Sequence, residues 1–318
     1  MRNICFILLL LFLILVSLYL RVNEGFEGKE SESESESESE SESENETKVN
    51  FDYLLLGVGH KTLYKEKSKY QNIEVVQFYE NEDGYDKCLL LNDEIQLCNN
   101  NEEKSYHELI VHFPSYYLGK VEHVLIIGGG DLMTLREVMK YSTIKKVTMV
   151  EIDEQVVEVG RKYFGQNDFS EDDRVELFIE DASIRIKELP KAFYDMVIID
   201  STEQSSNNMP LDKEEFLRQC KRVMKPEKSI LVKNGHTSKE MPEEFNQSKM
   251  IVYDRLKELF STVRTFKTEI SSFSQEYTFL ICSNTFDFTE SRQNSEILEM
   301  QKNLTEYHIK KHSDYLLP

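Results

Sequence analysis

From Val121 onward the chain repeats one unit: a short apolar run, a polar turn, then a segment whose apolar residues recur at helical spacing. The apolar runs fall at 123–127, 146–150, 175–179, 195–199 and 229–232, and helix-period segments at 133–141, 154–164 and 213–224 lie between them. Strands that are apolar throughout, rather than alternating, belong to a parallel sheet covered on both faces. The rhythm therefore predicts a doubly wound α/β fold of the Rossmann-like kind. A helix over 247–260 and two strands near 263–268 and 277–282 complete a seven-stranded sheet.

In such a sheet ligands sit beyond the carboxyl ends of the strands. Here those ends read Gly128-Gly-Gly-Asp131, Glu151-Ile-Asp153, Glu180-Asp181 and Asp200-Ser-Thr-Glu203, so each of the first four carries a carboxylate. Gly128, Gly129 and Gly130 let backbone approach a ligand closely, and an acid ending the second strand suits the two hydroxyls of a ribose. The spacing is not that of a dinucleotide fingerprint, and Asp131 would repel a pyrophosphate. A nucleoside bearing a cation fits better, with Asp181 accepting from the adenine and Asp131, Asp200 and Glu203 around a sulfonium chain and a diamine. Other readings of single residues stand beside these. Asp200 and Glu151 could cap the following helices, Glu203 could be a solvated loop residue, and Tyr106 could simply pack in the core.

Upstream, strand-like runs at 74–79, 87–91 and 95–97 read as β-hairpins, with Asn92-Asp93 as a tight turn because both residues tolerate positive φ. Before them lie two segments of another character. Residues 4–20 are seventeen uncharged, Leu-rich residues between Arg2 and Arg21, and are expected to enter a bilayer as an uncleaved anchor rather than a cleaved signal. Charge does not settle its orientation. Asn45, Asn246 and Asn303 head Asn-x-Ser/Thr triplets that would be usable on a lumenal side. The Ser-Glu dipeptide then repeats seven times over 31–44, with nothing apolar to bury, and predicts an extended acidic spacer.

The formal charge of -20 is partly this spacer, since residues 24–46 hold eleven glutamates and one lysine. An acidic surface excludes nucleic acid as a partner and tolerates polycations. Of five cysteines, Cys5 lies in the apolar segment and the rest lack metal-type spacing, so neither a zinc site nor a disulfide framework is expected. Cys88, Cys220 and Cys282 read as small core hydrophobes. His107 and His112 read as packing residues rather than metal ligands.

Over residues 64–232 the chain resembles the spermidine synthase, or polyamine aminopropyltransferase, family. The resemblance rests on Ser68-Lys-Tyr-Gln-Asn-Ile73, Leu91-Asn-Asp-Glu-Ile-Gln96, Tyr106-His-Glu108 with His112, Val124-Leu-Ile-Ile-Gly-Gly-Gly-Asp131, Leu135-Arg-Glu-Val138, Val150-Glu-Ile-Asp153, Asp173-Arg-Val175, Glu180-Asp-Ala182 and Tyr194-Asp-Met-Val-Ile-Ile-Asp-Ser-Thr202. It implies transfer of an aminopropyl group from decarboxylated S-adenosylmethionine to putrescine or a similar amine, leaving methylthioadenosine, without a metal. It further implies that Glu151 holds the ribose, that Asp181 holds the adenine, and that Gln71, Gly128, Gly130 and Asp131 hold the nucleoside and its arm. Asp200 would be the base, Tyr106 and Glu203 would bind the amine, and the enzyme would be a homodimer.

Three departures from the family pattern bear on activity. Leu132-Met133 stands where a further Gly-Gly is usual, Glu203-Gln204 replaces Asp-Pro, and Ser271-Ser-Phe-Ser-Gln-Glu276 replaces a tyrosine-bearing gate. Two other readings stay open at this point: a membrane-tethered relative that binds without turnover, and an S-adenosylmethionine-dependent N-methyltransferase. The expected organisation is an anchor or signal at 1–22, an acidic linker at 23–49, a small β domain at 50–115, the Rossmann-like domain at 116–288 and a C-terminal tail at 289–318.

Overall fold

A computed structural model describes residues 60–78, 87–99, 101–164, 169–201, 210–237, 243–270 and 275–288. The expected apolar anchor, the Ser-Glu spacer and the C-terminal tail lie outside them. Among the described residues no helix is long and apolar enough to cross a membrane.

The chain first forms an antiparallel sheet from β1 (His60–Lys67), β2 (Asn72–Phe78), β3 (Lys87–Leu91) and β4 (Glu94–Cys98), paired in that order. Asn92 and Asp93 both take positive φ, 51° and 68°, as the two-residue turn between β3 and β4 requires. The register then slips by one residue, pairing Leu90 with Ile95 but Leu89 with Leu97. This bulge carries Cys98 opposite Cys88, and the two are joined as a disulfide with Cα atoms 4.1 Å apart. Treating Cys88 as a lone core thiol was therefore wrong. In an unbulged hairpin Cys88 would face Leu97, and Cys98 would lie on the opposite face. Cys220 and Cys282 do remain free and buried, and burial pushes both thiols up.

Next comes α1 (Asn101–Leu118), followed by β5 (His123–Gly128), α2 (Met133–Met139), β6 (Lys146–Glu151), α3 (Glu154–Val159), β7 (Val175–Ile179), α4 (Ala182–Arg185), β8 (Met196–Asp200), α5 (Glu214–Val223), β9 (Ile230–Thr237), α6 (Glu243–Leu259), β10 (Thr262–Ile270) and β11 (Gln275–Ser283). These strands form a seven-stranded sheet in the order β10-β11-β9-β8-β5-β6-β7. β5 to β9 run parallel, and β11 is antiparallel to both its neighbours.

Successive residues of each strand feed opposite layers. Val124, Ile126, Met196, Ile198 and Val232 join Leu109, Phe113 and Leu135 of α1 and α2 in one core. Leu125, Ile127, Val197, Ile199 and Leu231 join Phe216, Leu217, Cys220 and Leu256 of α5 and α6 in the other. The small sheet presents Ile73, Val75, Leu89, Leu91 and Leu97 to Met133, Val156, Val159 and Phe164. That packing sets the β1–β2 connection beside the end of β6.

Candidate active site

Strand order reverses between β5 and β8: the chain proceeds from β5 outward to β6 and β7, then returns to lay β8 against the other side of β5. The loops leaving β5 and β8 therefore diverge and open a crevice. Gly128 stands opposite Asp200 in the ladder, and the Gly129 amide donates to the Asp200 carbonyl at 2.7 Å. At Gly128 φ is +80°, and a Cβ there would meet the Asp200 carbonyl oxygen at 2.1 Å, so no other residue fits. At Gly130 a Cβ would stand 2.9 Å from Glu151 Oε2, filling the cradle between the turn and the end of β6.

Glu151 is the floor of that cradle. Its Oε1 accepts the amides of Ile152 at 2.7 Å and Asp153 at 2.9 Å. Burial pushes its carboxyl up to about 7, against the Asp153, Ile152 and Gly130 amides, which favour the charge. Asp153 caps α3 through the Gln155 amide and accepts Ser68 Oγ at 2.6 Å and the Gln71 side-chain amide at 3.1 Å. Gln71 is thus drawn from the small sheet to the β6 side of the crevice. Asp181, at the end of β7, accepts the Ser183 amide at 2.7 Å and so also caps α4.

The β8 side of the crevice is built around Asp200. Tyr106 Oη donates to its Oδ1 at 2.6 Å and Thr134 Oγ1 to its Oδ2 at 2.5 Å. Burial raises the Asp200 carboxyl above the usual carboxylate range and the Asp131 charge raises it further, opposed by His107, Thr134 and Tyr106. Asp131 goes the other way. Burial would raise it, but His107 with Nε2 3.5 Å away, the Met133 amide and Arg136 hold it below its ordinary value. Neighbouring carboxylates whose environments drive them apart are the arrangement that divides charge-holding from proton-taking.

Tyr106 is half-buried, its ring packed against Tyr277 and Phe279 at centroid distances of 5.2 and 5.1 Å. Asn234 donates to the Ser201 carbonyl at 2.6 Å, while its buried Oδ1 has no hydrogen-bond partner among the described residues. Both features suit a ligand with hydrogen-bond donors. Glu203 lies outside the described residues. Among the described residues no three His, Cys, Asp or Glu side chains converge as metal ligands would.

The structure brings together Gln71, Tyr106, Gly128, Gly130, Asp131, Glu151, Asp181 and Asp200 at the strand ends. Sequence reasoning missed Thr134, Asn234 and the contact of His107 with Asp131. His107 and His112 pack in the interior as expected, but with acidic partners. His112 Nε2 lies 2.9 Å from Glu137 Oε2, and its Nδ1 lies 2.7 Å from Tyr141 Oη. Leu132 and Met133 are buried, Leu132 in the core under α1 and Met133 in the core under the small sheet.

A glycine turn and carboxylate strand ends around the switch point of a parallel sheet define a class: α/β proteins that cradle a nucleoside and act on a group attached to it. The spermine/spermidine synthase domain matches residues 103–291. A polyamine aminopropyltransferase of Prochlorococcus marinus strain MIT 9301 is 35% identical over 253 residues, 77% of this chain and 84% of that protein. Among solved structures, a spermidine synthase in complex with the transition state analogue AdoDATO shares the fold with a TM-score of 0.70 at 24% identity, covering 81% of this chain and 86% of the other. Spermidine synthase from Thermotoga maritima gives 0.69 at 25% identity, covering 81% and 85%. The chain belongs to the spermine/spermidine synthase family.

Proposed function

We propose that this chain transfers the aminopropyl group of decarboxylated S-adenosylmethionine to putrescine or a similar amine, releasing methylthioadenosine. The observation that carries the reading is Asp200: a half-buried carboxylate with a raised pKa, beside the glycine turn, each oxygen held by a hydroxyl. An alkylamine is almost wholly protonated at neutral pH and has no lone pair to attack with. Asp200 takes that proton. The freed nitrogen attacks the carbon next to sulfur, a C–N bond forms, and the C–S bond breaks with its electron pair passing to sulfur, which becomes a neutral thioether. Asp200 then returns its proton to solvent.

The other residues position the partners. Glu151 accepts the ribose hydroxyls, Asp181 the adenine amino group, and Gln71 with the Gly128 and Gly130 backbone encloses the nucleoside. Asp131, held ionised, faces the cationic arm, while Tyr106 and Glu203 orient the amine. Holding the nitrogen in line with the C–S bond supplies much of the acceleration. Leu132 and Met133, the substitutions that favour a non-catalytic relative, have their side chains in the core under α1 and in the core under the small sheet. By the same reading the chain pairs with a second copy through its small sheet. Residues 4–20 hold it at a membrane, and alkaline extraction should leave the full chain, but not one lacking residues 1–22, in the membrane pellet.

The test of the reading is calorimetric titration of the protein with methylthioadenosine and with S-adenosylmethionine, beside an Asp181→Ala control. Preferential methylthioadenosine binding that the control loses is expected. Failure to bind either nucleoside would overturn the assignment.

A further inference from the structure

A buried threonine or serine in a helix ordinarily returns its hydroxyl to a carbonyl one turn back, as Ser115 of α1 does to Val111 at 2.7 Å. Thr134, in the first turn of α2, does not. It is wholly buried, with no water to fall back on, and its hydroxyl is spent on Asp200 Oδ2 at 2.5 Å. That is the length of a charge-assisted O–H···O⁻ bond.

The two oxygens of Asp200 are not equivalent. Oδ2 lies against the glycine turn, 3.4 Å from where a Gly129 Cβ would stand, and is closed in by Thr134. Oδ1 is shared with Tyr106, whose ring is half-buried and borders the crevice. Thr134 also belongs to the helix that follows the glycine turn, so one short element carries both the nucleoside cradle and the clamp on the base. We infer that Thr134 is a positioning residue for the transfer, fixing Asp200 through Oδ2 so that Oδ1 is the oxygen that receives the amine proton. The inference rests on Asp200 acting as the base.

Donation to the ionised carboxylate also favours the charged form, so the clamp keeps the base unprotonated further into acid. A hydrogen bond to a charged group corresponds to about one to two pH units.

The experiment is the pH dependence of kcat, pH 5 to 9, for the full chain with saturating putrescine and decarboxylated S-adenosylmethionine. Thr134→Val, Thr134→Ala and Thr134→Ser are compared with Asp200→Asn. Thr134→Val and Thr134→Ala should move the acid limb upward by about one pH unit, lowering kcat by about tenfold at pH values below the limb and little above it. KM for the nucleoside should stay within about twofold of wild type, and Thr134→Ser should return the limb to its wild-type place. Should the valine variant fail to fold, the alanine variant decides the matter. An acid limb unmoved in either folded variant, with Asp200→Asn inactive, overturns the role of Thr134 alone. An Asp200→Asn enzyme of wild-type kcat removes the base itself and the inference with it.

Discussion

Replacing Glu151 with glutamine separates the cost of the nucleoside cradle from its benefit. The wild-type carboxyl, ordinarily near 4.5, sits at about 7 in the folded chain because burial disfavours its charge. Between those two values the folded chain binds more protons than the unfolded one, so stability falls as pH rises through the window. At about 1.4 kcal/mol for each tenfold change, the buried charge costs at most about 3 kcal/mol once pH reaches 8. Glu151→Gln keeps the shape and removes the charge. Part of the gain is lost because its side-chain N–H₂ must face the Gly130 amide. The free variant should therefore be more stable than wild type at pH 8 by about 1 to 3 kcal/mol, with no advantage at pH 5.

Binding should run the opposite way. Ribose hydroxyls donate best to an ionised acceptor, so a ligand needing the charged form of a group titrating near 7 loses about tenfold in affinity at pH 6 and almost nothing at pH 8. Thermal melts at the two pH values and methylthioadenosine titrations from pH 6 to 8 read both effects. Wild-type affinity that stays flat over that range, together with a variant no more stable at pH 8, would refute the reasoning.

A methyl group at the glycine turn should be more damaging: Gly128→Ala meets the Asp200 carbonyl at 2.1 Å and a φ of +80°, and should abolish measurable turnover while lowering the melting temperature. The Cys88–Cys98 bridge, ten residues apart, should contribute about 3 kcal/mol, so the double serine variant should melt well below wild type and lose the linked peptide seen by mass spectrometry without reduction. Glu137 is fully buried among His112, Arg136 and Lys140, and its hydrogen bonds with His112 and Lys140 hold its carboxyl down at about 2 against the burial that would raise it. That stability is present above the unfolded value of 4.5 and lost as pH falls toward 2. Glu137→Ala should cost about 3 to 5 kcal/mol in a denaturant titration at pH 7 by stranding its buried partners.

The parallel sheet was legible because strands buried on both faces have no choice but to be apolar throughout, and the helices between them keep a 3.6-residue period. Helix boundaries were less so. The helix expected over 154–164 widens into a π turn from Gly160 to Phe164, a change in hydrogen bonding that apolar periodicity does not reveal. Carboxylates stood out because an ionisable residue ending an apolar strand is conspicuous. Thr134 carried no such mark: a small β-branched residue inside a helix reads as filler, and only the pairing of β5 with β8 brings Asp200 to its hydroxyl at the start of α2. The disulfide was hidden for a similar reason, since a bulge of one residue decides which cysteine faces which strand. Asn234 looks like any polar residue near a strand end until its unpaired oxygen is located.

The pairing of Gly128 with Asp200 makes the sheet a measuring device. The glycine turn and the Asp200 carboxylate leave neighbouring strands about 4.8 Å apart, a spacing set by peptide hydrogen bonds. Neither can be displaced without breaking the ladder, and a slip of one residue would turn Asp200 to the other face. The separation between the glycine turn and Asp200 is therefore built into the backbone. Side chains beyond the strand ends are free of that constraint, and substitution there leaves the ladder intact.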